Sequence, residues 1–309
     1  AVIGNGASTI QFLPTLVNKA EHVYLFQRSP SWIHPLDNYR YSGWAKWVFR
    51  NVPMASKLHR LWIFLMCEWT IIAFREGDIS NRIYRWWLER KMKKLLPAAL
   101  HSKLIPTYAP GCKRILLSSD FLQTVQQPNV TLVTDPITSF NENGVHAGGQ
   151  SHDVDAVVYG TGFEATSLLQ TISITGRDGL KLQDAWHAYP KTLWGITTPG
   201  FPNLFLLYGP NTNLGHNSII YMVEHQVSYV AQCLREMAAK NACVIEPDAK
   251  AVEKHGQLIQ SRLGETVWAR GCSNWYRKAD GTIPNNWYTA AFRYGQMIRN
   301  PDFQSLELS

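Results

Sequence analysis

Apolar positions along this chain keep two rhythms. Short apolar runs closed by glycine, proline or asparagine come first, "AVI" before Gly4 and "HVYLFQR" over 22–28. Such runs suit strands buried on both faces. Between them, "STIQFLPTLVNKA" (8–20) spaces its apolar residues three and four apart, as an amphipathic helix does. Residues 36–105 keep helical spacing of aromatics without strand-like alternation, and Pro53 and Gly77 are the expected breaks, so two to four helices are predicted there. Strand patterns return in "NVTLVT" (129–134), "ITSFN" (137–141) and "VDAVVYG" (154–160). "FPNLFLLYGPN" (201–211) reads as another buried strand ending in a turn. A long helix follows, roughly Ser218 to Lys240, capped by Asn217 or Ser218. The final stretch holds "WARGCSNWY" and "GTIPNNWY", aromatic loops without a regular period. Strands alternating with helices predict an α/β architecture with a mostly parallel sheet.

Composition adds scale. The chain has 309 residues, 45% hydrophobic and 17% charged, which suits a globular protein of about two domains. Its five cysteines (Cys67, Cys112, Cys233, Cys243, Cys272) form no CxxC. No zinc site or disulfide framework is expected, and a reducing, cytoplasmic compartment fits. No metal-ligand spacing occurs among the histidines either; His216 and His225 read as structural.

Charge changes the picture in one place. Of the formal net charge of +7, Leu36 to Arg114 carries more than all, with 15 Lys/Arg against 5 Asp/Glu, together with six of the twelve tryptophans. One reading is a helical insert whose aromatics face its own core and whose arginines face water. The other is contact with an anionic membrane surface. "LWIFLMCEWTIIAF" (61–74) is too short to span a bilayer, which takes about 20 residues. Nucleic acid is not an expected partner.

The chemistry begins at Gly4-Asn5-Gly6-Ala7-Ser8-Thr9, a G-x-G-x-x-T turn between strand and helix. The first glycine permits the tight turn, the second lets backbone approach a pyrophosphate, and the following helix start offers free N–H groups. NAD-binding versions place an acid about 20 residues further on for the ribose 2′-hydroxyl. Here Gln27-Arg28-Ser29 stands in that place. A cation and a hydroxyl suit a 2′-phosphate, so NADPH is expected over NADH.

These segments, followed by "GCKR" (111–114), "DAVVYGTGF" (155–163), "FPNLFLLYGPN" with its helix, and "SNWY…GTIPN", resemble the flavin-dependent Baeyer–Villiger monooxygenases of the flavin-containing monooxygenase superfamily. The resemblance covers most of the chain outside the helical stretch. It implies a doubly wound, Rossmann-like NADP domain over 1–35 and 106–160, a helical insert over 36–105, and the C-terminal part of an FAD domain with mobile aromatic loops over 161–309. It implies that Gly4, Gly6, Ser8, Thr9, Gln11, Arg28, Ser29 and Lys113 hold NADP. It places Arg114 over the flavin as the catalytic cation, where fixed charge would stabilise the oxyanion of a tetrahedral adduct. Gly162 then lies in a crossover turn near FAD, and Trp275 on a loop closing over the nicotinamide cofactor.

The implied reaction uses NADPH, FAD and O2 to insert one oxygen beside the carbonyl of a hydrophobic ketone, giving an ester or lactone. N- or S-oxidation is the alternative within the superfamily, and a non-catalytic NADPH-binding module the alternative of another class. The family's FAD-binding glycine motif and its histidine-containing signature do not occur in the chain, so the expectation is a C-terminal portion lacking the N-terminal FAD-binding segment. Oligomeric state is left open, as is membrane contact through residues 36–105.

Overall fold

A computed structural model describes residues 1–36, 39–75, 77–187, 189–270 and 272–309. Strand β1 (Val2–Ile3), helix α1 (Ala7–Val17), and strands β2 (Val23–Phe26) and β3 (Ile33–Pro35) open the chain. Helices α2 (Gly43–Asn51), α3 (Ala55–Trp69), α4 (Ile79–Leu95) and α5 (Ala98–Leu104) follow. Then come β4 (Leu116–Ser118), α6 (Phe121–Thr124), β5 (Val130–Val133), β6 (Ile137–Phe140), β7 (Gly144–Ala147), β8 (Gln150–Asp153) and β9 (Val158–Tyr159). The remainder holds α7 (Leu182–Ala185), α8 (Ile219–Ala239), β10 (Ile245–Pro247), α9 (Ala249–Leu263), α10 (Val267–Arg270), α11 (Ala291–Met297) and β11 (Leu306–Leu308).

The chain divides into two compact units, one of Ala1–Gly43 and Ile79–Glu164, the other of Trp44–Asp78 and Ala165–Ser309. The helical stretch 36–105 is therefore shared: α4 and α5 fold with the first unit, α3 with the second.

The first unit is built on a parallel sheet in the order β5-β2-β1-β9. Val2 lies opposite Leu25 on one side and Val158 on the other, and Val23 opposite Val130. Val2, Val23 and Leu25 are buried, and α1 turns Ile10, Leu13 and Val17, spaced three and four, into the same core. Leu88 and Met92 of α4 join that core, with Tyr84 and Trp87 packed against it. β6, β7 and β8 form an antiparallel meander beside it in sequence.

In the second unit Trp268, Trp287, Tyr229 and Tyr294 are nearly or fully buried. Helix α8 buries Met222, Gln226, Tyr229 and Cys233 at a helical period, as its sequence predicts, and begins after Ser218. Asp248 caps α9 by accepting from the Ala251 N–H at 2.8 Å. Pro53 separates α2 from α3, and Gly77, at φ +74°, separates the helical turn 70–74 from α4.

Two expectations need correction. The buried strand predicted over 201–211 is not formed. Asn203, Tyr208 and Asn211 have φ near +60°, which breaks an extended run. The Leu206 and Tyr208 N–H groups go instead to the Ile196 carbonyl and Gln226 Oε1, while Leu207 and Tyr208 stay about half exposed. No disulfide framework was expected, yet Cys112 is disulfide-bonded. Odd cysteine number and spacing carry no information about which side chains a fold brings together. Among the described residues, no helix is long and apolar enough to cross a membrane.

Candidate functional site

Strand β1 runs into its turn at Gly4, which sits at φ +99°, and a Cβ there would lie 2.4 Å from the Gly160 carbonyl oxygen. Both facts demand glycine. Gly6 differs: a Cβ would meet only the Gly160 oxygen, at 3.9 Å, so its exposed face is open. It caps α1, whose first turn holds no acid to compete with an anion. Ser8 and Gln11 are exposed on α1. Thr9 turns the other way. Its side chain is fully buried, its hydroxyl has no hydrogen-bond partner, and a Cβ on Gly160 would come within 2.2 Å of that hydroxyl. The threonine that replaces the third small residue is thus accommodated by a glycine on the neighbouring strand end. Gly162, at φ +92° and with open space around it, follows in the same crossover.

The end of β2 meets the glycine turn through a residue that motif reading passed over. Asn5 Nδ2 donates to Gln27 Oε1 at 2.7 Å and to the Ser29 carbonyl at 3.1 Å. Gln27, buried where an NAD-binding protein would place its acid, donates in turn to the Lys103 carbonyl at 2.7 Å. The middle residue of G-N-G is the available signal for this tie.

Arg28 is exposed just beyond. Lys113, eighty-four residues from Ser29, donates to the Ser29 hydroxyl at 2.9 Å and lies 5.0 Å from the Tyr108 ring centre. Burial, and then the charge of Arg28, lower the Lys113 pKa. Two cations and a hydroxyl therefore converge, and among the described residues neither cation is paired with a carboxylate. That arrangement favours an incoming phosphate and raises the energy of the empty site. The Arg114 guanidinium is exposed.

In the second unit, the turn 209–213 and the segment 281–287 are joined by asparagines. Asn213 and Asn286 pair as a parallel bridge. Asn211 Nδ2 donates to the Ile283 and Asn286 carbonyls at 2.8 and 3.1 Å, and Asn213 Nδ2 to Asn286 Oδ1 at 2.8 Å. Asn285 Oδ1 and Asn286 Nδ2 remain buried without partners, a costly arrangement in a folded core. Nearby, Glu68 of α3 accepts from Asn217 Nδ2 at 2.6 Å and from the Ala291 and Phe292 N–H groups at 3.1 and 3.2 Å. His216, its side chain almost fully buried, brings Nε2 to 3.3 Å from the same carboxylate, outside hydrogen-bond geometry. Burial pushes the Glu68 pKa up, but His216, Asn217 and the Phe292 amide outweigh it and hold the pKa below the usual range. Trp275 is about half exposed, tilted against Tyr276 with ring centres 5.3 Å apart.

A parallel sheet, a glycine turn before a helix and a basic cluster at the end of the second strand are the architecture of a doubly wound α/β fold. Comparison with known proteins is more specific, although no family model matches. The chain is 34% identical over 313 residues to a Baeyer-Villiger monooxygenase of Pseudomonas aeruginosa, covering 100% of this chain and 59% of that protein. It is 36% identical over 305 residues to the FAD-binding monooxygenase ktnD of Aspergillus niger, covering 96% and 50%. Among solved structures, an oxidised steroid monooxygenase bound to NADP superimposes with a TM-score of 0.82 at 25% identity, covering 99% of this chain and 66% of that one. OTEMO in complex with FAD and NADP superimposes with a TM-score of 0.84 at 23% identity, covering 100% and 66%. Over nearly its whole length the chain is similar to proteins described as Baeyer-Villiger or FAD-binding monooxygenases. It spans between half and three fifths of the length of these curated relatives.

Proposed function

We propose that the chain serves an NADPH- and FAD-dependent monooxygenase that inserts one oxygen atom of O2 beside a ketone carbonyl. The observation that carries this reading is the convergence of Arg28, Ser29 and Lys113 at the end of β2, next to an open Gly6 and the start of α1. These residues fit NADP: the α1 start receives a pyrophosphate, and the two cations receive a 2′-phosphate that NADH lacks. The first unit is then the nucleotide domain, and the second contributes to the flavin side. When bound, the two cofactors supply the reducing equivalents and the oxygen activation. The protein's part is to bind, to orient and to keep water out. Arg114 supplies fixed positive charge for an oxyanion, Gly162 a turn without a side chain, and Trp275 a half-exposed ring able to cover a ligand. The α8 start, free of acids in its first turn and fastened through Asn217 to Glu68, offers a partial positive charge toward the flavin side.

The test is NADPH against NADH binding to the wild-type chain, followed by its visible spectrum after incubation with FAD and desalting. NADPH preference with retained flavin absorbance supports the reading. NADPH binding with no flavin under any condition favours a non-catalytic binding module, and equal affinity for both nucleotides removes the 2′-phosphate assignment.

The substrate is a hydrophobic ketone, and the protein meets it at an anionic membrane surface. This rests on α3, where Leu58, Leu61, Trp62, Leu65 and Trp69 form an outward stripe at helical spacing, each half or more exposed. Phe64 on the opposite face packs on Tyr221 with ring centres 4.7 Å apart. The neighbouring sequence is basic, with Lys46 and Arg50 on α2 and Lys57 and Arg60 on α3, and the one acid of α3, Glu68, is engaged inward. Apolar and basic surface side by side suits an interfacial helix.

A further inference from the structure

A second cluster of cations lies in the second unit, on three stretches of the chain. Arg75, Arg262 and Arg293 line a cleft of about 300 Å³ with Glu265, Thr266, Tyr288, Thr289 and Met297. Arg75 is held by an antiparallel bridge to Thr266. Arg262 and Glu265 come from the end of α9 and the residues after it. Arg293 stands on α11, whose first backbone N–H groups are fastened by Glu68.

Three arginines and a single glutamate line the cleft. Glu265 and Arg262 are 3.8 Å apart and more than half exposed, so their attraction is screened and weak. Burial raises the Tyr288 pKa, with the Arg262 charge opposing; its hydroxyl therefore stays protonated and can donate. Net positive charge, a phenolic donor and the Thr289 hydroxyl share a cleft whose walls offer little apolar surface. A ketone substrate has no reason to bind there. An oxyanion has several, because guanidinium forks match its geometry and relieve their mutual repulsion by binding it.

We infer that this cleft binds a multiply charged oxyanion, a phosphate or diphosphate group, through Arg75, Arg262 and Arg293. The inference is independent of the nucleotide site in the first unit. Its test is calorimetric titration with inorganic diphosphate of an Arg28→Gln/Lys113→Gln chain, which lacks the two cations of the first unit's 2′-phosphate site, so that binding which depends on Arg75 and Arg293 reports on the cleft. Arg75→Gln and Arg293→Gln should each weaken binding roughly tenfold, and Arg235→Gln, on α8 outside the cleft, should leave it unchanged. Glu265→Gln should tighten it about twofold, a gain that a damaged fold would not produce. Displacement of diphosphate by FAD would identify the source as a flavin dinucleotide; its failure to compete would identify a separate phosphate-bearing ligand. Absence of binding, or binding indifferent to Arg75 and Arg293, overturns the inference.

Discussion

Lys113 Nζ donates to Ser29 Oγ at 2.9 Å, and Arg28 adjoins the same serine along the chain. A cation from the end of the helical stretch is thereby anchored beside one from the end of β2, whose charge acts on it.

That convergence predicts nucleotide selectivity. Arg28→Ala or Lys113→Ala should weaken NADPH by roughly 10- to 100-fold, the scale of one charge-assisted hydrogen bond, while changing NADH by no more than about twofold. Fluorescence titration with both nucleotides measures this. Equal losses for the two would show that the cations hold something other than the 2′-phosphate.

The glycine turn predicts a stability contrast. Gly4→Ala imposes a positive φ and a Cβ 2.4 Å from the Gly160 oxygen, and should cost about 3 kcal/mol or more. Gly77 has a positive φ but nothing within 4 Å, so Gly77→Ala should cost only about 1–2 kcal/mol. Urea unfolding of the two variants distinguishes steric contact from backbone strain.

His255 predicts a pH dependence. It accepts from the Trp194 N–H at 3.3 Å, its ring 4.3 Å from the Trp194 ring, and burial lowers its pKa to about 4. The unfolded chain, with an ordinary histidine near 6.5, takes up the proton first. Stability should therefore fall as pH drops from about 6.5 to 4, by at most about 3 kcal/mol. His255→Gln should flatten that segment of the profile. An unchanged profile would place the acid sensitivity elsewhere.

Glu68 predicts a second loss of stability, further into the acid range. Its depressed pKa contributes stability above the ordinary carboxylate pKa, and that contribution disappears as pH falls through the lower folded value. Glu68→Ala leaves Asn217 and two backbone N–H groups without their acceptor and should destabilise the second unit by about 3 kcal/mol. A denaturation midpoint like that of wild type would mean that water replaces the carboxylate at no cost.

The α3 stripe predicts lipid binding. The wild-type chain should float with phosphatidylserine-containing vesicles at low salt and less so at 0.5 M salt, on the order of the Debye-length change expected. Trp62→Glu and Leu65→Glu should each reduce flotation about fivefold or more. Flotation that both variants retain, or a dimer that both variants dissociate, would assign the stripe to another role.

Local pattern was sufficient wherever a residue's neighbours in sequence are also its neighbours in space. The spacing of Ile10, Leu13 and Val17 announces α1, and Pro53 and Gly77 announce the helix breaks. Met222 to Cys233 announce the buried face of α8, and alternating strands and helices announce the parallel α/β sheet. The glycine at Gly4 and the missing acid at Gln27 are legible for the same reason. What the chain could not reveal depends on partners distant along it. The apolar run at 204–208 has the composition of a strand, but a strand exists only where another offers its hydrogen bonds, and here the Ile196 carbonyl and Gln226 take them first. Thr9 looks like a ligand residue, yet its hydroxyl is buried against Gly160. Lys113 reaches Ser29 across 84 residues and Glu68 fastens Asn217 and the start of α11 across 149 to 224, and the cleft gathers its three arginines from separate stretches. Side-chain type is written locally, but which charges meet, and whether they are compensated, is decided by packing that brings distant backbone together.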